Sequence, residues 1–260
     1  MCGRYVLTQK IEVLEKRFNI QAPVGFEWEA NYNITPGTYV PVITDNAPQI
    51  VQLFRFGLMP AWAKKKMLLI NARAEGDRNL DNDPLYKGSR DIINKPAFRK
   101  PIRSQRCLVP ADCFIEGTTQ NKLDEPYVVY LRNKVRPFAF AGIWDCWKDP
   151  ETGEEIYSFA IITTVANAVL QALPHHRSPV ILQRGDEKIW LNPHTPLGSI
   201  TSMLFPYSAD LMNAYRINAA IKNPKANGKE GITPISDPLF SENNVTITDV
   251  IRKNGFGRNR

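Results

Sequence analysis

Apolar and polar positions alternate over many short stretches of this chain and take helical spacing over only a few. Residues 4–7 predict a short strand that carries the N-terminus into the body. Thr8 is placed as the N-cap of a helix in which Ile11, Leu14 and Phe18 share a face, ending at Asn19. Residues 23–29 read as a loop. Residues 31–38 form a turn cluster, because Pro36-Gly37 presets a type II turn. Residues 39–44 and 50–56 alternate as strands around an Asp45-Asn46 turn. The apolar run at Leu69-Ile70 stops abruptly at Asn71-Ala72-Arg73. Polar residues at the end of a buried strand point into a site or satisfy a local turn.

Residues 76–95 are polar and rich in turn formers, an insertion loop with a short helix near Leu85. Residues 98–106 are strongly basic. Residues 107–117 make two apolar runs broken by a turn at Pro110, with Glu116 set among apolar neighbours. A carboxylate there is paired, functional, or exposed at a strand end. Residues 126–131, 138–147 and 156–164 predict three strands of one antiparallel sheet. A short helix over 166–173 leads to Pro174-His175-His176-Arg177-Ser178-Pro179 and a strand over 180–183. Residues 186–191, 197–204 and 209–215 have helical spacing, and 234–236 suit a last short strand.

Many strands, few helices and no βαβ alternation predict an α+β fold. The expectation is a single domain over 2–240, with a curved, barrel-like, mainly antiparallel sheet and peripheral helices, followed by a basic tail over 241–260.

Composition narrows the function. Hydrophobic residues make up 43% of the 260 positions, enough for a proper core. No apolar run approaches the ~20 residues of a membrane span, and residues 1–10 lack the apolar centre of a secretory signal. A cytoplasmic protein is expected, associated with the nucleoid when bound to DNA. Cys2, Cys107, Cys113 and Cys146 form no CxxC pair, and no HxxxH spacing occurs, so no metal is expected. A Gly-rich phosphate loop is also missing, which argues against a nucleoside-triphosphate enzyme. No cofactor is expected. The net charge of +7 suits a polyanionic partner, most simply nucleic acid.

The sharpest chemical feature is Cys2. A small second residue permits removal of the initiator, so the mature chain is expected to begin at Cys2. In model peptides such an amine titrates at ~8 and such a thiol at ~8.5, so both have reactive forms at neutral pH. The amine condenses with an aldehyde to an imine, and the thiol closes on the imine carbon to give a five-membered thiazolidine. The same group can instead attack a carbonyl as an N-terminal hydrolase does. His175, next to Pro174, is either an oriented proton shuttle or a satisfied structural His.

Several motifs occur in the order expected of one family. They are Met1-Cys2-Gly3-Arg4, Asn33-Ile34-Thr35-Pro36-Gly37-Thr38, Gly57-Leu58-Met59-Pro60-Ala61-Trp62 and Asn71-Ala72-Arg73-Ala74-Glu75. Downstream come residues 106–112, Phe114-Ile115-Glu116, residues 161–167 and His175-His176-Arg177-Ser178-Pro179. Together they resemble the SRAP (SOS response-associated peptidase) family of abasic-site processing proteins, from Cys2 to about residue 236.

The resemblance implies a sensor of abasic sites in single-stranded DNA, which captures the ring-opened sugar aldehyde as a thiazolidine DNA–protein crosslink. It implies Cys2 as nucleophile, Asn71 positioning the amine and sugar, Glu116 shuttling protons, and His175 bonding the sugar oxygen. Arg73 and Arg177 would contact phosphates, Trp62 and Pro36 would stack or wedge beside bases, and Thr163 would touch the backbone. Arg4 would contact DNA or lie in a salt bridge under the site. The partner would be single-stranded DNA containing abasic sites, bound by a monomer. The alternative is an N-terminal-Cys (auto)peptidase, the activity in the family's name. Three features depart from the family pattern: Ile115 and Gly117 flank Glu116 in place of aromatics, His176 stands at a usually acidic position, and the 76–95 loop is long.

Overall fold

The structure, a computed structural model, describes residues 2–242. In chain order the first half holds β1 (Tyr5–Leu7), α1 (Ile11–Phe18), β2 (Asn31–Ile34), β3 (Tyr39–Thr44), β4 (Ala47–Phe56) and β5 (Asn71–Arg73). Then come α2 (Pro101–Ser104), β6 (Arg106–Ala111), β7 (Cys113–Thr118), β8 (Lys122–Leu131), β9 (Phe138–Lys148) and β10 (Glu155–Val165). The chain continues through α3 (Ala168–Ala172), β11 (Arg177–Pro179), β12 (Ile181–Leu182), α4 (Asp186–Leu191), α5 (Leu197–Thr201) and β13 (Met212–Arg216).

The expected barrel is present. Pairing runs from β4 through β3, β6 and β9 to β10, and β10 closes the ring by lying parallel to β4. β5 and β11 extend this sheet from β10, and β12 pairs with β9. A second sheet, ordered β13-β8-β7-β1-β2, is antiparallel throughout and packs on the barrel.

The period-two pattern explains this closure. Successive side chains of a strand point to opposite faces. Val40, Val42, Val109, Phe140, Phe159 and Ile161 point into one core, shared with Tyr5 and Phe114 of the second sheet. Their neighbours Ile43, Leu108, Ala139, Ala141, Ala160 and Ile162 point into another core, which Trp190 of α4 and Ile200 of α5 cover. β3, β6, β9 and β10 are therefore buried on both faces over most of their length, whereas β4 leaves Ile50 and Leu53 exposed. Tyr5 sets its ring edge-on to Phe56 at 5.7 Å and to Phe140 at 5.8 Å, joining the layers. Among the described residues no helix is long and apolar enough to cross a membrane.

Several local expectations are corrected. Thr8 does not cap α1, whose N-cap is Lys10; its hydroxyl and N–H both donate to Asp112 Oδ2. Of the 31–38 cluster, the first four residues form β2, and only the turn at Pro36-Gly37 remains, with Gly37 at φ 95°. Pro110 lies inside β6, and Asp112 makes the break. No helix forms near Leu85; the 76–95 loop is a series of turns ending in a 3-10 turn at Asp91–Asn94. β8 leaves β9 and β10 for the second sheet. Residues 209–215 are a 3-10 turn followed by β13, because Met212 and Ala214 alternate into the core opposite Leu131 and Val129. Residues 234–236 are not a strand, but they fasten to Arg216 through Ile235 N–H and Ser236 Oγ. The basic tail falls almost wholly on residues 243–260, outside the described residues.

Candidate active site

β1 carries Cys2 into the site. Its pairing with β7 sets Tyr5 opposite Phe114, and Ile115 N–H donates to Arg4 O at 2.9 Å. The Arg4 guanidinium fastens this segment by donating to Asn33 Oδ1, Ile221 O and Lys222 O. These partners are neutral, and among the described residues Arg4 forms no salt bridge. Cys2 is 1% exposed. Burial pushes its thiol well above the ordinary value, and the nearby Glu116 carboxylate adds to that.

Glu116 stands on β7, 4% exposed, and burial raises its carboxyl to about 7. Its Oε2 lies 3.5 Å from His175 Nε2. His175 is 6% exposed, and burial holds it down to about 3, so its ring is neutral at physiological pH. Its Nδ1 is 2.9 Å from Gly117 O. A carbonyl only accepts, so Nδ1 carries the hydrogen and Nε2 presents its lone pair to Glu116.

Two strands of backbone hold this pair in place. His175 N–H donates to Leu170 O of α3, and Thr119 N–H donates to Pro174 O. Gly117 makes the close approach possible. A Cβ there would sit 1.8 Å from Lys122 O, so the aromatic expected in the family cannot occupy this bulge. His176 stacks on His175 at 5.3 Å and bonds Thr119 Oγ1 through Nδ1. Glu116, His175 and His176 border a cavity of about 380 Å³ with Gly3, Thr119 and Lys122.

β5 supplies the other wall. Asn71 and Arg73 alternate onto one face, and pairing with Ile161 and Thr163 of β10 places Thr163 on that face as well. Asn71 Nδ2 donates to Cys2 O at 3.0 Å. Its Oδ1 is buried and meets no donor among the described residues, leaving an acceptor beside Cys2. Arg73 Nη2 donates to Asn79 O, and to Asn82 Oδ1 at 3.2 Å.

Arg177 is turned inward. It donates to Glu75 Oε2 at 2.8 Å and to Thr163 Oγ1 at 3.3 Å, and its side chain is 3% exposed. Glu75 closes the Asn71-Ala72-Arg73-Ala74-Glu75 motif, and the sequence alone gives it no role. Its pairing with Arg177 crosses 102 positions and leaves no local signal. Trp62 is 58% exposed, with Nε1 donating to Pro96 O at 3.3 Å. Half-buried Pro36 precedes β3 and Trp62 follows β4. Tyr39 pairs with Arg55, so both turns lie at the same end of the barrel. Among the described residues no cluster of His, Cys, Asp and Glu is arranged to hold a metal ion.

The profile of the family described as SOS response associated peptidase (SRAP) matches residues 1–224. The chain is 37% identical to the abasic site processing protein YoqW of Bacillus subtilis, over 88% of this chain and 98% of that protein. It is 27% identical to the abasic site processing protein HMCES of Pongo abelii, over 90% of this chain and 76% of that one. A crystal structure of a protein from Bacteroides thetaiotaomicron superimposes with a TM-score of 0.75 at 31% identity, covering 90% of this chain and 99% of that one.

Proposed function

This chain belongs to the SRAP family, and on that premise we propose that it captures abasic sites in single-stranded DNA as a thiazolidine crosslink through Cys2. The observation that carries this reading is the Glu116 carboxyl, raised to about 7 between Cys2 and a neutral His175. A group titrating near neutrality both gives and takes a proton at working pH.

With Met1 removed, the Cys2 amine is free and Asn71 Oδ1 is the buried acceptor that orients it. When the sugar enters, its hydroxyl replaces the Glu116 proton at the single lone pair of His175 Nε2, which favours the open aldehyde and frees the Glu116 proton for the substrate. The amine adds to the aldehyde carbon, and the protonated Glu116 gives its proton to the departing hydroxyl, so that water leaves and an imine forms. The sulfur then attacks the imine carbon. Its proton passes to the Glu116 carboxylate, and the imine nitrogen, still protonated with the hydrogen it kept from the amine, becomes the ring amine. Aldehyde, amine and thiol thus become thiazolidine and one water. Because burial keeps the thiol protonated, attack by the amine comes first. An (auto)peptidase would need a thiolate at the outset, which the same burial disfavours.

Arg73 and the exposed Trp62 suit a DNA strand crossing the end of the barrel, by phosphate contact and base stacking. Arg177 supports that strand from beneath, through Thr163 and Glu75.

Intact mass under denaturing conditions, before and after incubation with an abasic oligonucleotide, tests the proposal. The expected result is a stoichiometric adduct, one water lighter than the sum, which Cys2→Ala abolishes. Absence of an adduct from folded protein lacking Met1 overturns it.

A further inference from the structure

One residue of the 76–95 loop stands out. Arg90 is 8% exposed, and all three of its guanidinium nitrogens are buried with no hydrogen-bond partner among the described residues. Its guanidinium lies over the Phe205 ring at 4.2 Å and faces the Tyr86 ring at 6.0 Å. Phe205 is exposed, so the group sits just below the surface.

Arg90 is not isolated. Ile92 N–H donates to Ala74 O at 3.1 Å, which ties the end of the loop carrying Arg90 to the segment carrying Arg73, and the charges of Arg73 and Arg90 both lower the Arg177 pKa. Each of the three arginines retains buried nitrogens without partners: Nε of Arg73, Nε and Nη1 of Arg177, and all three of Arg90. The carboxylate facing Arg177 is Glu75, and its two oxygens are already taken by Arg177 and Thr164. Asp77 and Asp91 pair with Lys95. Like charges held together with unsatisfied donors lack an anion.

The loop covers part of this cluster. Asn79 and Asp83 close a turn on each other, and the turn presents Asn79 O and Asn82 Oδ1 to Arg73 Nη2. These two oxygens occupy an Arg73 nitrogen that a phosphate would otherwise engage.

We infer that Arg90 is a further phosphate-binding arginine, which joins Arg73 on one backbone phosphodiester of the DNA strand above the inward-turned Arg177. The Asn79–Asp83 turn holds the place of that phosphate until the strand arrives. The loop is then part of the strand-binding surface. This rests on the single-strand reading above and does not involve Cys2 chemistry.

The test uses an undamaged single-stranded oligonucleotide, which has no aldehyde, with affinity measured across a salt series. Arg90→Gln should bind about tenfold more weakly, as expected for loss of a charged hydrogen bond. The slope of log affinity against log salt should become shallower by about 0.7, the value for one phosphate contact on a single strand. Arg90→Lys should fall between, because it keeps the charge and loses the fork. Asn82→Gly keeps the left-handed backbone at that position, removes the competing oxygen, and should bind about threefold more tightly. An Arg90→Gln protein that melts like the parent and keeps its affinity and slope overturns the inference. If that variant does not fold, unchanged binding by both Arg90→Lys and Asn82→Gly does so. A parent that binds the strand but forms no abasic adduct removes the capture reading and leaves this one standing.

Discussion

Glu116 Oε2 and His175 Nε2 face each other across 3.5 Å, and the Gly117 carbonyl decides where the proton between them lies. By holding the hydrogen on Nδ1, it leaves Nε2 as an acceptor. A carboxylate opposite that lone pair would be repelled, so the pair is stable with the proton on Glu116. The directions agree: burial raises Glu116 to about 7 and lowers His175 to about 3.

The acid form of Glu116 exists below about pH 7. The dehydration step should slow as pH rises through that value, and Glu116→Gln should lose this dependence with a rate reduced by about 10²- to 10⁴-fold. Single-turnover crosslinking between pH 5 and 9 checks this. An unchanged profile in the variant removes Glu116 from the proton path.

The same shift makes a stability prediction. Glu116 titrates higher folded than unfolded, so its contribution is complete below its unfolded value and is lost as pH rises through about 7. Glu116→Gln imitates the protonated form. It should melt above the parent at pH 8, with the difference closing toward pH 5. His175 acts oppositely, since its folded value of about 3 is depressed, and it removes stability as pH falls below its unfolded value.

Arg177→Gln should be costly to the fold. It leaves Glu75 buried and unpaired, a loss of about 3–5 kcal/mol. Arg73→Gln, whose partners are neutral oxygens, should cost much less stability and act chiefly on DNA affinity. Urea denaturation beside a binding titration separates them. Equal losses of stability would contradict the inward placement of Arg177.

Gly117→Ala forces a Cβ against Lys122 O, which is backbone and cannot swing aside. A loss of about 1–3 kcal/mol is expected from overpacking. The shifted carbonyl should also release His175, so crosslinking should slow in the fraction that remains folded. A variant as stable and active as the parent would show that the bulge is not required.

Asn71→Ala removes the bond to the Cys2 carbonyl and the acceptor beside it. Stability should fall by about 1 kcal/mol, the usual net value of one hydrogen bond. Crosslinking should fall further than stability, because misplaced reactants lose about 10²-fold per ångström. Retained rates would reduce Asn71 to a structural tie.

β4 was legible in the sequence as an alternating strand because one of its faces is buried and the other exposed, and β9 and β10 were legible as apolar runs because both of their faces are filled. Misreadings fell where local spacing carried two meanings. Leu211 and Tyr215 are spaced as on a helix, but Met212 and Ala214 also alternate, and pairing with β8 decided for the strand. Three successive strand patterns suggested one sheet, but β8 was drawn to β7 and β13.

The sequence by itself determined the reactive inventory: a Cys at position 2 that can offer two nucleophiles, a Glu among apolar neighbours, a His held beside Pro174, and a basic surplus. Only the tertiary structure decided how those groups are charged and where they face. Burial sets the Glu116 and His175 protonation, a carbonyl sets the tautomer, and Glu75 turns Arg177 inward. Periodicity is a local property and can be read along the chain. Desolvation and long-range pairing depend on residues brought together from 58 to 102 positions apart, and no local pattern records them.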